Sequence, residues 1–132
     1  IRNKMENLLI EASEYTPKID FSLEAGTLNI IGKSYPENTF EFYQPTTGWI
    51  EKYLEESSND KTIVNLDLEY LNSSSLKAYF DLFDLLDIAH DEGKIIEINW
   101  IYDEENDISE ETGEDFIADF ENLNITLVVK NS

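Results

Sequence analysis

The run from Thr62 to Gly93 constrains the fold of this chain more than any other part of it. Thr62-Ile63-Val64-Asn65-Leu66-Asp67-Leu68 alternates as a half-buried strand must, because successive side chains leave opposite faces of a sheet. Tyr70-Leu71-Asn72-Ser73-Ser74-Ser75-Leu76-Lys77-Ala78 ends that pattern in a cluster of hydroxyls and opens a helical one. The helix runs from about Ser74 to Glu92 and stops at Gly93, a residue that tolerates left-handed backbone. The first amides of a helix are unpaired and its dipole is positive there, so a serine at this point is also a place to put a phosphate. Serine and asparagine are equally the ordinary N-caps of helices with no regulatory role, and from these residues alone both readings stand.

The apolar arc of this helix is unusually wide. Lys77, Asp81, Asp84, Asp87 and Asp91 gather on one side, while Leu76, Ala78, Tyr79, Phe80, Leu82, Phe83, Leu85, Leu86 and Ala89 spread over roughly 220°. One sheet does not need so much. Either a neighbouring helix covers the excess, or the part centred on Ala78, Leu82 and Leu85 is a docking surface that starts beside the serines.

The flanking segments complete an α/β pattern. Asn7 to Ala12, Lys18 to Leu23 and Leu28 to Ile31 read as an antiparallel entry of three strands, with Ala25-Gly26 turning between the last two. Asn38 or Thr39 caps a helix to about Glu56, weakened in its first half by Pro45 and Gly48, so that a kink or late start is expected near Pro45. Ser57-Ser58-Asn59-Asp60 is a loop, and Ile95 to Tyr102 reads as a buried strand. An acidic segment, Asp103 to Asp115, then contains the start of a third helix leading into Phe116, Ile117 and Phe120, and Ile125 to Lys130 is a last strand. Three strands followed by helix-strand pairs imply a mixed sheet with helices packed against it.

A second stretch, Ser34-Tyr35-Pro36-Glu37-Asn38-Thr39-Phe40-Glu41-Phe42-Tyr43, reads locally as a turn and cap, because proline fixes the backbone ahead of a helix and asparagine caps it. Together with Tyr70 to Ser75 and Phe80-Asp81-Leu82-Phe83-Asp84-Leu85-Leu86-Asp87, it resembles the SiaC family of bacterial regulatory phosphoproteins, which have the STAS fold of anti-sigma-factor antagonists. The resemblance extends from about Thr16 to about Val129. In that family a Ser-Tyr-Pro-Glu-Asn-Ser/Thr-Phe-Glu-Phe-Tyr string precedes the first helix, and Tyr-Leu-Asn-Thr/Ser-Ser-Ser carries the phosphorylated hydroxyl. The resemblance therefore implies a single STAS-like domain over residues 1–132, phosphorylation at Ser73 with Ser74 as the other candidate, and a partner surface. That surface takes in Tyr35, Pro36, Glu37, Asn38, Asn72, Ser74 and Ser75, and reaches Ala78, Leu82 and Leu85 if the helix arc is used. It also implies the partners: a serine/threonine kinase with a histidine-kinase-like ATPase fold, an opposing PP2C-type phosphatase, and a regulated target, a diguanylate cyclase in the family's pattern. Ser73 stands where threonine is common in the family, a change that keeps the acceptor and can change the kinase's rate.

Composition narrows the remaining classes. The 132 residues, 41% of them hydrophobic, suit one domain with one core. Twenty-nine acidic against nine basic residues give a net charge of −20, a field that repels nucleic acid and anionic lipid and either keeps the chain soluble or favours a basic partner. The absence of cysteine removes disulfides, thiolate catalysis and thiolate metal sites. No apolar run is long enough for a membrane span, and Ile1-Arg2-Asn3-Lys4-Met5 lacks the apolar centre of a secretion signal, so a cytoplasmic protein is expected. Met5 can be the initiator, with residues 1–4 an addition before it.

Little in the chain suggests catalysis. His90, the sole histidine, lies late in the second helix, where a cation meets the negative end of the dipole. Carboxylate pairs such as Glu37 and Glu41 are inevitable in so acidic a sequence and carry no acid-base information. Asp103, Glu105 and Asp107 alternate as calcium ligands can, yet lack the glycine an EF-hand turn requires, and the dipole of the third helix explains them more simply. There is no glycine-rich phosphate loop and no cofactor is expected. The alternatives to a switch are an enzyme with a small-molecule pocket between the sheet and the Ser34 to Asn38 loop, or a constitutive scaffold whose serines are only caps.

Overall fold

The computed structural model describes residues 5–131, so the reading of residues 1–4 as an addition lies outside the described residues. Nine elements follow one another: β1 (Leu8–Ile10), β2 (Lys18–Ser22), β3 (Thr27–Ser34), α1 (Thr39–Glu56), β4 (Thr62–Leu71), α2 (Ser73–Asp91), β5 (Ile96–Asp103), α3 (Asp107–Asp119) and β6 (Asn124–Lys130). The expected mixed sheet is present. It has six strands in sequence order, antiparallel from β1 to β3 and parallel from β3 to β6.

Each parallel step needs a crossover, and here each crossover is a helix. Because such crossovers are right-handed and the strand order never reverses, all three helices fall on one face. The burial pattern follows. In β4, Thr62, Val64, Leu66 and Leu68 are buried, whereas Ile63, Asn65 and Asp67 on the other face are half-buried. That other face carries no helix, and a row of asparagines crosses it: Asn65 Nδ2 donates to Asn29 Oδ1 over 2.8 Å and Asn99 Nδ2 to Asn65 Oδ1 over 2.9 Å. Between sheet and helices the core is filled by Ile19, Phe21, Leu28, Ile30, Leu66, Ile98 and Trp100 from below and by Ile50, Tyr53, Tyr79, Phe83 and Phe116 from above. Phe83 and Phe116 stack at 4.2 Å between centroids, which places α2 beside α3.

Two expectations change. α1 is continuous from Thr39 through Pro45 and Gly48, without the expected late start. Pro45 is exposed, so the Glu41 carbonyl that loses its amide partner faces water rather than the core. The strands also run further towards the helix starts than the alternation implied, β3 to Ser34 and β4 to Leu71, while β1 is shorter than Asn7 to Ala12. The extension of β4 contains a bulge: Gly32 pairs with Leu68 but Lys33 with Tyr70, so Glu69 is an extra residue that reverses the alternation. A strict period of two cannot be followed through such a point. Its effect is to turn Tyr70 outward and leave Ser34 opposite Leu71 at the entrance to α2.

Candidate functional site

The carboxyl ends of the parallel strands β3, β4 and β5 lie at one edge of the molecule, and each feeds a helix there within a few residues. Each helix is capped by an asparagine: Asn38 Oδ1 accepts from Glu41 N at 3.0 Å, Asn72 Oδ1 from Ser75 N at 2.9 Å, and Asn106 Oδ1 from Ser109 N at 3.1 Å. The helix starts are tied together. Thr39 Oγ1 lies 2.6 Å from Ser74 Oγ, joining α1 to α2. Asn106 Nδ2 donates to the Glu69 carbonyl at 3.0 Å, anchoring α3 on the end of β4.

Within this arrangement the three adjacent serines have three different environments. Ser73, the first residue of α2, is exposed, and among the described residues its hydroxyl has no hydrogen-bond partner. The cap is Asn72, so the scaffold reading, in which Ser73 serves as the cap, is corrected: a residue in the first helical position points away from the amides that Asn72 already satisfies. Ser74 is exposed too, but its hydroxyl is held between Thr39 Oγ1 and Asn72 Oδ1, the latter at 3.2 Å. Ser75 is fully buried, with its Oγ 2.7 Å from Ser34 Oγ, so its side chain supports the surface from beneath instead of forming part of it.

Ser75 begins a buried row of hydroxyls. Ser34 Oγ also lies 2.6 Å from Tyr43 Oη, which in turn lies 3.0 Å from Tyr79 Oη. Burial pushes the Tyr43 hydroxyl above its ordinary range, and burial with the adjacent Tyr43 pushes Tyr79 well above it, so both remain neutral donors. The row fixes the start of α2 against the end of β3 and the first turns of α1. An additional backbone bond, Asn72 N to the Ser34 carbonyl at 3.0 Å, closes the same junction.

The Tyr35 to Asn38 loop sits beside these serines, as the resemblance implied. Tyr35 and Pro36 are half-buried, and Glu37 and Asn38 are exposed. The Tyr35 ring meets Tyr15 edge-on at 5.2 Å and Tyr70 at 5.7 Å, forming an aromatic row along the surface. Ala78, Leu82 and Leu85 lie further down the seam between α1 and α2. Ala78 and Leu82 face Thr47 and Ile50 of α1, and Leu85 faces Glu51 and Leu54, so α1 packs against this part of the arc and leaves the three half-exposed along the seam. At 1.5 Å of rise per residue, Leu85 stands about 18 Å down the helix axis from Ser73.

Some residues at this edge were not among the site residues expected from the sequence. Thr39, Asn106, Tyr15, Phe40 and Ile108 all reach it, and the signal that marks several of them is a recurrence: Asn38-Thr39-Phe40, Asn72-Ser73-Ser74 and Asn106-Asp107-Ile108 are 34 residues apart, and each opens a helix. Among the described residues there is no group of His, Cys, Asp or Glu able to hold a metal ion. Asp103 Oδ1 instead accepts from Glu105 N at 2.9 Å, and Asp107 opens α3. No helix among the described residues is long and apolar enough to cross a membrane.

Residues 10–130 match the family described as SiaC family regulatory phosphoprotein. The chain belongs to that family. Its relatives include an uncharacterised protein of Pseudomonas aeruginosa, strain UCBPP-PA14, 37% identical over 115 residues that span 87% of this chain and 90% of that one. Solved structures agree. The chain superimposes with a TM-score of 0.87 and 34% identity on a chain of the crystal structure of the diguanylate cyclase SiaD in complex with its activator SiaC, from P. aeruginosa, covering 93% of this chain and 99% of that one. It matches SiaC of P. aeruginosa with a TM-score of 0.84 and 33% identity, over 97% of this chain and 100% of that one. The expected family and the mixed α/β architecture are therefore both shown, and SiaC, a relative of this chain, is an activator that binds a diguanylate cyclase.

Proposed function

We propose that this protein is a non-enzymatic regulatory phosphoprotein that docks on and activates a diguanylate cyclase while Ser73 is free and releases it when Ser73 carries phosphate. The observation that carries this reading is the contrast among the serines: only Ser73 combines exposure with a hydroxyl that nothing else uses. A kinase can take that hydroxyl without breaking a bond of the fold. At Ser74 modification would cost the tie to Thr39, and at Ser75 the buried row.

The helix start also suits the product. The first turn of α2 holds no acidic residue, whereas α1 has Glu41 there and α3 has Asp107 and Glu110. Asp107 occupies in α3 the position that Ser73 occupies in α2, so a negative charge at this point is compatible with the fold and favoured by the dipole. Phosphate adds between about 1.5 and 2 negative charges and a tightly hydrated group, which alters the surface without unfolding what lies under it. The partners that fit this cycle are the serine/threonine kinase and PP2C-type phosphatase of the family pattern, acting in the cytoplasm.

A small-molecule enzyme is less well supported. The cavity lined by Tyr43, Thr46, Ala78 and Tyr79, close to the Ser34 to Asn38 loop, encloses about 10 Å³, room for one water and no substrate, and the roomier clefts, about 670 Å³ beside Met5 and Glu56 and about 400 Å³ beside Asp67 and Asn106, are lined by no residue of that loop. Ser73→Asp, compared with wild type in binding to purified SiaD, tests the proposal: affinity falls by at least about tenfold while the melting temperature stays within a few degrees. Equal affinity would overturn it. Mass mapping of the protein from its native cells provides the second readout, with phosphate expected on Ser73.

A further inference from the structure

Two side chains stand out at the edge that carries Ser73. Phe40 and Ile108 are each 78% exposed, more than any other large hydrophobic residue among those described. Each is the second residue of its helix, Phe40 in α1 and Ile108 in α3, and α2 lies between them. Their exposure does nothing for the fold. Neither belongs to the core, and neither fills a position of the hydrophobic staple, which pairs the residue before an N-cap with the fourth helical residue: Glu37 with Phe42 in α1, and Glu105 with Glu110 in α3. Tyr15 and Tyr70, exposed at 51% and 53%, flank Tyr35 at the same edge. Large apolar residues exposed at one edge of a fold mark a surface that another molecule can cover.

The surroundings specify the chemistry of that molecule. Exposed Glu37, Glu41, Glu69, Glu105, Asp107 and Glu111 surround the apolar residues. The cations at this edge are few and mostly paired: Lys33 at the end of β3 is exposed, while Lys77 pairs with Asp81 at 3.2 Å, Lys130 at the end of β6 with Asp67 at 2.8 Å and Lys18 with Glu11 at 4.0 Å. A partner that complements this surface presents an apolar centre rimmed by lysine or arginine.

We infer that Phe40 and Ile108 are the apolar anchors on either side of Ser73 by which this protein holds its target, and that the target's matching surface is apolar with a basic rim. The inference rests on the proposed phosphorylation switch and adds the physical means of release. Against a basic partner, phosphate on Ser73 is attracted, not repelled, so charge repulsion cannot drive dissociation. Release comes from desolvation: a hydrated dianion placed between two anchors must lose its water before they can seat.

The test uses the full-length protein and purified SiaD of P. aeruginosa as the probe, with Phe40→Ala, Ile108→Ala, the double variant and Ser73→Asp. Ile88→Ala, exposed near the far end of α2, is the control. Each anchor variant is expected to weaken binding by at least about tenfold and the double variant to abolish it, with Ile88→Ala unchanged and all melting temperatures close to wild type. Wild-type affinity is expected to fall as NaCl rises from about 50 to about 500 mM, because the rim contacts are screened. Loss of binding in Ser73→Asp with normal binding in both anchor variants overturns the anchors alone. Loss in the anchor variants with normal binding in Ser73→Asp overturns the switch and keeps the anchors. Salt-independent affinity overturns the basic rim, and a wild type that does not bind SiaD overturns both readings.

Discussion

Adjacent residues of one type can do unrelated work, and Ser73, Ser74 and Ser75 show why. On a helix each step turns the side chain by about 100°, so three serines in a row face three directions. Here the directions are solvent, the neighbouring helix start and the interior. Stability measurements separate them from the true cap. Asn72→Ala is expected to cost about 1 kcal/mol, since it removes the acceptor for Ser75 N, whereas Ser73→Ala is expected to change stability by less than about 0.5 kcal/mol. Urea denaturation of the two variants checks this, and a large loss in Ser73→Ala would return that serine to a capping role.

α2 and α3 are held in place by different devices. α3 sits close because Gly113 has no side chain: a Cβ there would lie 2.5 Å from Trp100 Cδ1 and 2.6 Å from Leu127 Cδ2. Gly113→Ala is therefore expected to destabilise the protein by about 1 to 3 kcal/mol through overpacking, read by thermal or urea unfolding. The start of α2 is held by the hydroxyl row from Ser75 to Tyr79. Its two tyrosines have hydroxyls raised above the unfolded value of 10.0 by burial. Below pH 10 the hydroxyls are protonated in both folded and unfolded chains, so their contribution is complete. As pH rises through the raised folded values, the unfolded chain has already released these protons, and stability falls. Tyr79→Phe is expected to cost about 1 kcal/mol near neutrality and to flatten the alkaline decline, measured as melting temperature between pH 8 and pH 11.

At the scale of the molecule, a net charge of −20 repels itself. Among the described residues, several of the ion pairs that offset it are exposed and weak, such as Lys77 with Asp81 and Lys61 with Glu97, and Lys130 with Asp67 is the better buried. Melting temperature is expected to rise with NaCl, as the screening length shrinks from about 30 Å at 0.01 M to about 3 Å at 1 M, whereas binding to a basic partner weakens. Opposite responses of folding and binding to the same salt would show that the acidic surface is kept for recognition at the expense of stability. A melting temperature that falls with salt would show that the ion pairs outweigh the repulsion.

What the sequence determined by itself was everything governed by a short period. The alternation of β4, the apolar arc of α2, the stop at Gly93 and the cap of α1 at Asn38 or its neighbour are local, because periods of two and 3.6 residues and a cap's reach of three residues lie within one element. Two local signals misled: Pro45 and Gly48 argued against the first half of α1, which tertiary packing of Tyr43, Ile50 and Tyr53 overrode, and the bulge at Glu69 hid the last residues of β4. Only the tertiary structure decided which serine is free, that Ser75 turns inward to Ser34, that α1 packs against Ala78, Leu82 and Leu85, and that Phe40 and Ile108 stand on either side of Ser73. Those facts join residues about 28 or more positions apart, and no local propensity holds that information. It resides in the parallel register and the right-handed crossovers, which bring three helix starts to one edge of one sheet.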